Sequence, residues 1–113
     1  MKTLKFIFTA VFAVVLSSTL FSQSNKVAMK TETIKVSGNC EMCKTRIEKA
    51  AKVDGVVKAV WSDKTEMLTL VYNPAKVKSD DVQKKIAAVG HDTPKFKASA
   101  KVYNALPGCC KYR

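Results

Sequence analysis

The chain has 113 residues, enough for one domain and too few for two. It carries 20 basic against 9 acidic side chains, a formal net charge of +11 at neutral pH, and 47% of its residues are hydrophobic. The lysines are dispersed, with no basic run and no aromatic-rich basic stripe, so the charge serves solubility and attraction to anionic surfaces and argues against nucleic-acid binding.

Residues 1–22 read as a signal peptide. Lys2 and Lys5 supply a positive start, Phe6 to Leu16 is apolar with only Thr9 interrupting, and Ser17 to Ser22 is rich in the small residues a signal peptidase cuts between. Cleavage is expected after Ser22, leaving a loose leader over 23–30. The apolar run is short for a bilayer span, so no stable membrane insertion is expected once it is removed. The expected location is therefore periplasmic or secreted. A chain this small encloses one modest core with little room for a buried catalytic cleft, which favours a monomeric binding protein over an enzyme.

Thr31 to Val36 alternates as a half-buried strand does, with Ile34 and Val36 on one side and Thr33 and Lys35 on the other. Gly38-Asn39 breaks it; both residue types tolerate the backbone angles of a tight loop. Met42 to Lys52 reads as a helix whose buried stripe is Ile47, Ala50 and Ala51, ended by Asp54-Gly55. Val56 to Trp61 and Met67 to Tyr72, joined by five polar residues, predict a hairpin. Trp61 and Tyr72 read as core residues. Ser79 is a candidate N-cap for a second helix striped by Val82, Ile86 and Val89 and closed by Gly90. Thr93 to Ala98 is expected to be a fourth strand, with Pro94 suiting an edge position. A tail, Ser99 to Arg113, follows and contributes no strand. The order β-α-β-β-α-β predicts an α+β, ferredoxin-like sandwich: a four-stranded antiparallel sheet with both helices on one face. In that topology the loop Gly90-His91-Asp92 returns to the pole that holds Cys40 and Cys43.

Cys40-Glu41-Met42-Cys43 carries the chemistry. Cys43 falls in the first helical turn, where free N–H groups and the positive end of the helix dipole stabilise a thiolate. Two sulfurs from adjacent turns suit Cu(I) or Hg(II), which prefer thiolate and accept few ligands, whereas a structural zinc site generally uses four. Two other readings use the same residues: a thiol-disulfide redox pair, or structural disulfides in an exported domain. Met42, between the cysteines, is expected to cover the core or a partner surface rather than to ligate. Cys109 and Cys110 are adjacent and unsuited to bonding each other. Ser99 to Gly108 spans roughly 33 Å when extended, enough to return to the loop. The tail cysteines can therefore be extra ligands, disulfides over the loop, or a free arm that hands metal to a partner.

Residues 31–98 resemble the heavy-metal-associated domain of copper chaperones, metal-pumping ATPases and the periplasmic mercury-binding protein. The resemblance rests on the Cys-x-x-Cys loop after strand one, Ile47-Glu48, Gly55-Val56, Tyr72-Asn73-Pro74 and Val89-Gly90. It implies binding and delivery of a soft metal ion through Cys40 and Cys43, without catalysis. Cu(I) is the first candidate and Hg(II) or Zn(II) the alternatives; the implied partner is a metal-transporting membrane protein or another metal-binding domain. Two positions depart from the family. Gly38 stands where a buried Met commonly supports the loop. His91, the only histidine, stands where Tyr or Phe is frequent, and it could be a third ligand or tune the thiols through hydrogen bonds.

Overall fold

The computed structural model describes residues 28–113. The expected signal peptide and residues 23–27 of the leader lie outside the described residues. Strand β1 (Lys30–Lys35), helix α1 (Glu41–Ala51), strands β2 (Val56–Trp61) and β3 (Met67–Tyr72) and helix α2 (Ser79–Ala88) follow one another along the chain. A short helix α3 (Ala100–Asn104) and a single 3-10 turn, Gly108–Cys110, complete it. Among the described residues no helix is long and apolar enough to cross a membrane.

The sheet is antiparallel with order β1-β3-β2. Thr33 stands opposite Thr69 and Ile34 opposite Leu68, while Ala59 and Trp61 pair with Leu70 and Leu68. The period-two pattern therefore puts Ile34, Ala59, Trp61, Leu68, Leu70 and Tyr72 on one buried face. An irregularity between Val56 and Lys58 leaves Val57 unpaired and exposed. The core lies between this face and two helical stripes, Cys43, Ile47 and Ala51 from α1 and Val82, Ile86 and Ala87 from α2. Ser79 is the first residue of α2, not its cap. The Asp81 carboxylate takes the Lys78 N–H at 3.3 Å, and the Ser79 hydroxyl instead accepts from Gln83.

The expected fourth strand over Thr93–Ala98 is not present, and among the described residues the sheet is three-stranded. The reason lies in where the segment's N–H groups go. Pro94 has none. Thr93 donates to the Phe96 carbonyl at 2.8 Å and Phe96 returns to the Thr93 hydroxyl, closing a turn. Lys95 donates to Gln83 of α2, and Ala98 to the Asp92 carboxylate at 2.7 Å. A single backbone bond, Ser37 N–H to Asp92 carbonyl at 3.0 Å, marks where pairing beside β1 would begin.

The terminal segment adds no strand, yet it is packed into the core. Tyr103, Leu106 and Cys110 are buried. Leu106 lies against Gly90, whose φ of +114° ends α2 in a left-handed conformation; a Cβ there would stand 2.7 Å from Leu106 Cδ2. The Tyr112 hydroxyl donates to the Gly90 carbonyl and accepts from the Asp92 N–H, and Arg113 pairs with Asp92 at 2.8 Å. Leu106→Ala should therefore cost about 3 kcal/mol, read as a lower midpoint in denaturant unfolding. Burial would raise the Asp92 pKa, but hydrogen bonds from the Ala98 N–H and Arg113 outweigh it and hold the carboxyl below its ordinary value. Its contribution is then present above the unfolded carboxylate value, about 3.9, and lost as pH falls through the lower folded value. Asp92→Asn should cost about 2 kcal/mol at neutral pH and flatten this acid limb of the stability–pH curve.

Candidate metal centre

The pole of the sheet at the end of β1 is shaped by Trp61. The indole is buried, and its Nε1–H donates to the Val36 carbonyl at 3.0 Å. Glu48 of α1 accepts the Trp61 backbone N–H at 2.8 Å and holds Lys44 at 2.6 Å, while Lys44 also donates to the Trp61 carbonyl. Gly38 runs directly over the ring: a Cβ would stand 3.0 Å from Trp61 Cζ2 and 3.2 Å from Cys43 Cβ. Gly38 is not at positive φ. It is required by the close approach of backbone to ring, which is a different reason from the turn geometry expected. The tryptophan supports the loop where a methionine would be expected to.

Cys40 occupies the N-cap position of α1 in an extended conformation, and Cys43 lies three residues on, in the first turn. Their sulfurs are 3.6 Å apart. The Asn39 N–H donates to Cys43 Sγ at 3.4 Å. From the carboxy-terminal turn, Cys110 Sγ lies 3.6 Å and Cys109 Sγ 3.2 Å from Cys40 Sγ. The sulfurs of Cys40, Cys43 and Cys110 all lie within 4.8 Å of one another. All four cysteines are free thiols. Arg46, one turn beyond Cys43 on α1, donates to Cys110 Sγ at 3.3 Å, and exposed Met42 places Sδ 3.5 Å from Cys109.

The thiols are not equivalent. Cys43 is 0% exposed, and burial pushes its pKa up to about 11, against the pull of the Asn39 N–H. Burial thus works against the stabilisation that a position in the first helical turn offers a Cys43 thiolate. Partial burial also opposes ionisation of Cys40, but hydrogen bonds from Cys109, from the Cys43 backbone and from the Cys43 and Cys110 thiols outweigh it, bringing Cys40 down to about 7. Burial raises Cys110, while bonding to Cys40 raises Cys109. Cys40 is the most acidic sulfur of the group.

His91 stands outside the sulfur group. It is fully buried and stacked on Tyr112 at 5.7 Å. Burial lowers its pKa, and the nearby Arg46 adds to the effect, so the neutral ring donates from Nδ1 to the Ser37 carbonyl at 2.8 Å. Nε2 is buried without a partner. Its visible role is to hold the backbone just after β1, at Ser37. Sequence reasoning missed Trp61 as the loop's floor and Arg46 as the cation beside a tail sulfur. Arg46 sits at i+3 from Cys43, a spacing that signals a shared helix face. Gly38→Ala should destabilise the domain by about 1–2 kcal/mol, because Trp61 is locked on both sides and cannot yield; unfolding followed by emission of this single tryptophan reads it directly.

No family model matches the sequence. The chain is 35% identical over 89 residues to a copper-exporting P-type ATPase from Staphylococcus saprophyticus and 34% over 73 residues to a zinc-transporting ATPase from Synechocystis, covering 76% and 63% of this chain. It spans 11% and 10% of their lengths, about a tenth of the curated relatives it matches. Among solved structures, the CopZ metallochaperone superposes with a TM-score of 0.55 at 27% identity, covering 57% of this chain and 98% of its own. Oxidised MerP from Ralstonia metallidurans CH34 gives 0.52 at 27%, covering 58% and 94%. A ZiaAN sub mutant solved by NMR gives 0.52 at 34%, covering 58% and 96%. With a shared α+β framework, matches that run nearly the full length of these small domains, and a cysteine loop between β1 and α1, the chain belongs to the heavy-metal-associated domain family.

Proposed function

We propose that this protein is an exported carrier of a soft metal ion, bound through Cys40 and Cys43, with Cu(I) as its first cargo and Hg(II) or Zn(II) as alternatives. The observation that carries the reading is the convergence of cysteine sulfurs within 4.8 Å at one pole of the fold, where the loop that holds Cys40 and Cys43 rests on Trp61. Thiolate-rich sites select soft ions over hard ones. A copper-exporting ATPase among the relatives supports copper, a metallochaperone among the neighbours supports delivery, and a zinc-transporting ATPase keeps zinc in view. Binding and delivery are the proposed activity, with a metal-transporting membrane protein or another metal-binding domain as the partner and the monomer as the working unit. Export to the periplasm or beyond rests on the residue pattern of 1–22.

A second reading is a thiol-disulfide redox protein, favoured by the lowered pKa of Cys40 and by neighbouring sulfurs at 3.2–3.6 Å. Titration of the reduced chain with Cu(I) and Hg(II) against a competing thiol separates the two. One equivalent should bind and alter the emission of Trp61, whose ring adjoins the loop, and Cys40→Ser/Cys43→Ser should abolish both effects. Absence of binding, or binding that survives the double substitution, would overturn the carrier reading.

A further inference from the structure

We propose that Cys110 is a third sulfur ligand of the Cys40–Cys43 site, so that the carboxy-terminal segment closes a two-sulfur loop into a three-sulfur centre. This rests on the soft-metal reading and deepens it.

Spacing is the first support. With metal–sulfur bonds of about 2.3 Å, two sulfurs on opposite sides of a linear ion stand about 4.6 Å apart; in trigonal or tetrahedral coordination they stand about 4.0 or 3.8 Å apart. Cys40 Sγ lies 3.6 Å from both Cys43 Sγ and Cys110 Sγ. The preformed spacing is that of the higher coordination numbers, and the three atoms already form a compact triangle.

Charge is the second. Cys110 is 0% exposed, and Arg46 directs its guanidinium at the sulfur from 3.3 Å. A cysteine retained for packing alone behaves as a small apolar side chain and has no use for a cation. A third thiolate around Cu(I) adds a negative charge to a half-buried site, and a charge-assisted hydrogen bond from Arg46 offsets it.

The third support is that the arm is built into the fold. Asn39, in the metal loop, donates from Nδ2 to the Lys111 carbonyl at 2.8 Å, tying the loop directly to the tail. On the other side Tyr112 is held between His91 and Tyr103, with ring centroids at 5.7 and 5.0 Å, and Arg113 is fixed on Asp92. Cys110 is thus held in place before any ion arrives, which lowers the ordering cost of recruiting it. Cys109 differs. It is exposed, 3.2 Å from Cys40 Sγ and 3.5 Å from Met42 Sδ, on the outer side of the group. It stands outside the three-sulfur set.

Copper-edge X-ray absorption on the reduced full chain loaded with one equivalent of Cu(I) tests this. Three sulfur neighbours are expected in the unaltered chain and in Cys109→Ser, and two in Cys110→Ser, which should still bind one equivalent. Two sulfurs in the unaltered chain would overturn the proposal, as would an unchanged count in Cys110→Ser. The counts in the unaltered chain and in Cys109→Ser together decide the matter even if Cys110→Ser does not fold: a fall to two in Cys109→Ser would assign the third sulfur to Cys109 and overturn the proposal. Loss of all binding in the unaltered chain would take down the carrier reading as well, whereas tight binding by two sulfurs removes Cys110 alone.

Discussion

The contact between Trp61 and the backbone at Gly38 is the constraint on which the site depends. A large rigid ring fills the end of the core and gives up its only polar atom to the Val36 carbonyl. Its backbone is fastened to α1 through Glu48 and Lys44. The loop above cannot sink further into the core, because Gly38 already stands against the ring. A metal loop needs sulfurs held at a fixed separation but reachable from outside. Here a packed aromatic floor supplies the first condition, and the helix start at Cys40 supplies the second.

Burial then divides labour among chemically identical groups. Cys43 and Cys110 face inward and lose the hydration that would stabilise a thiolate, while Cys40, on the rim, collects hydrogen bonds and ionises most readily. His91 follows the same logic. The fold encloses the ring, disfavours its charged form and uses Nδ1 to secure the chain at Ser37. It helps the site by holding the backbone from which the loop departs.

The missing strand and the packed tail are two aspects of one rearrangement. Residues 93–98 satisfy their hydrogen bonds in a turn and against α2 and Asp92, which frees the chain to turn back as α3. Alternation alone could not reveal this, since Thr93 to Ala98 has strand-like composition and the competing acceptors, Gln83 and Asp92, become neighbours only in the folded chain. Leu106 and Tyr103 then complete a core that lacks the fourth strand's contribution.

Local signals were enough for much of this protein. β-Branched and aromatic composition around a five-residue polar turn placed β2 and β3 at Val56–Trp61 and Met67–Tyr72, and helical spacing made Ile47, Ala51, Val82 and Ile86 legible as buried. Cys43 and Ala87 joined their stripes only in the fold, where Ala50 and Val89 are half-buried. Cys40 and Cys43 were legible as a pair because three residues across a helix start necessarily bring two side chains together. The place of Cys110 was not. Chain length permitted its return, but only tertiary packing, through Leu106 under Gly90 and Tyr112 against His91, decided that the tail comes back to Cys40 and does so as ordered structure. Desolvation likewise belongs to the folded molecule alone, so the sequence named the sulfurs while their unequal acidity and their grouping were set by which of them the core enclosed.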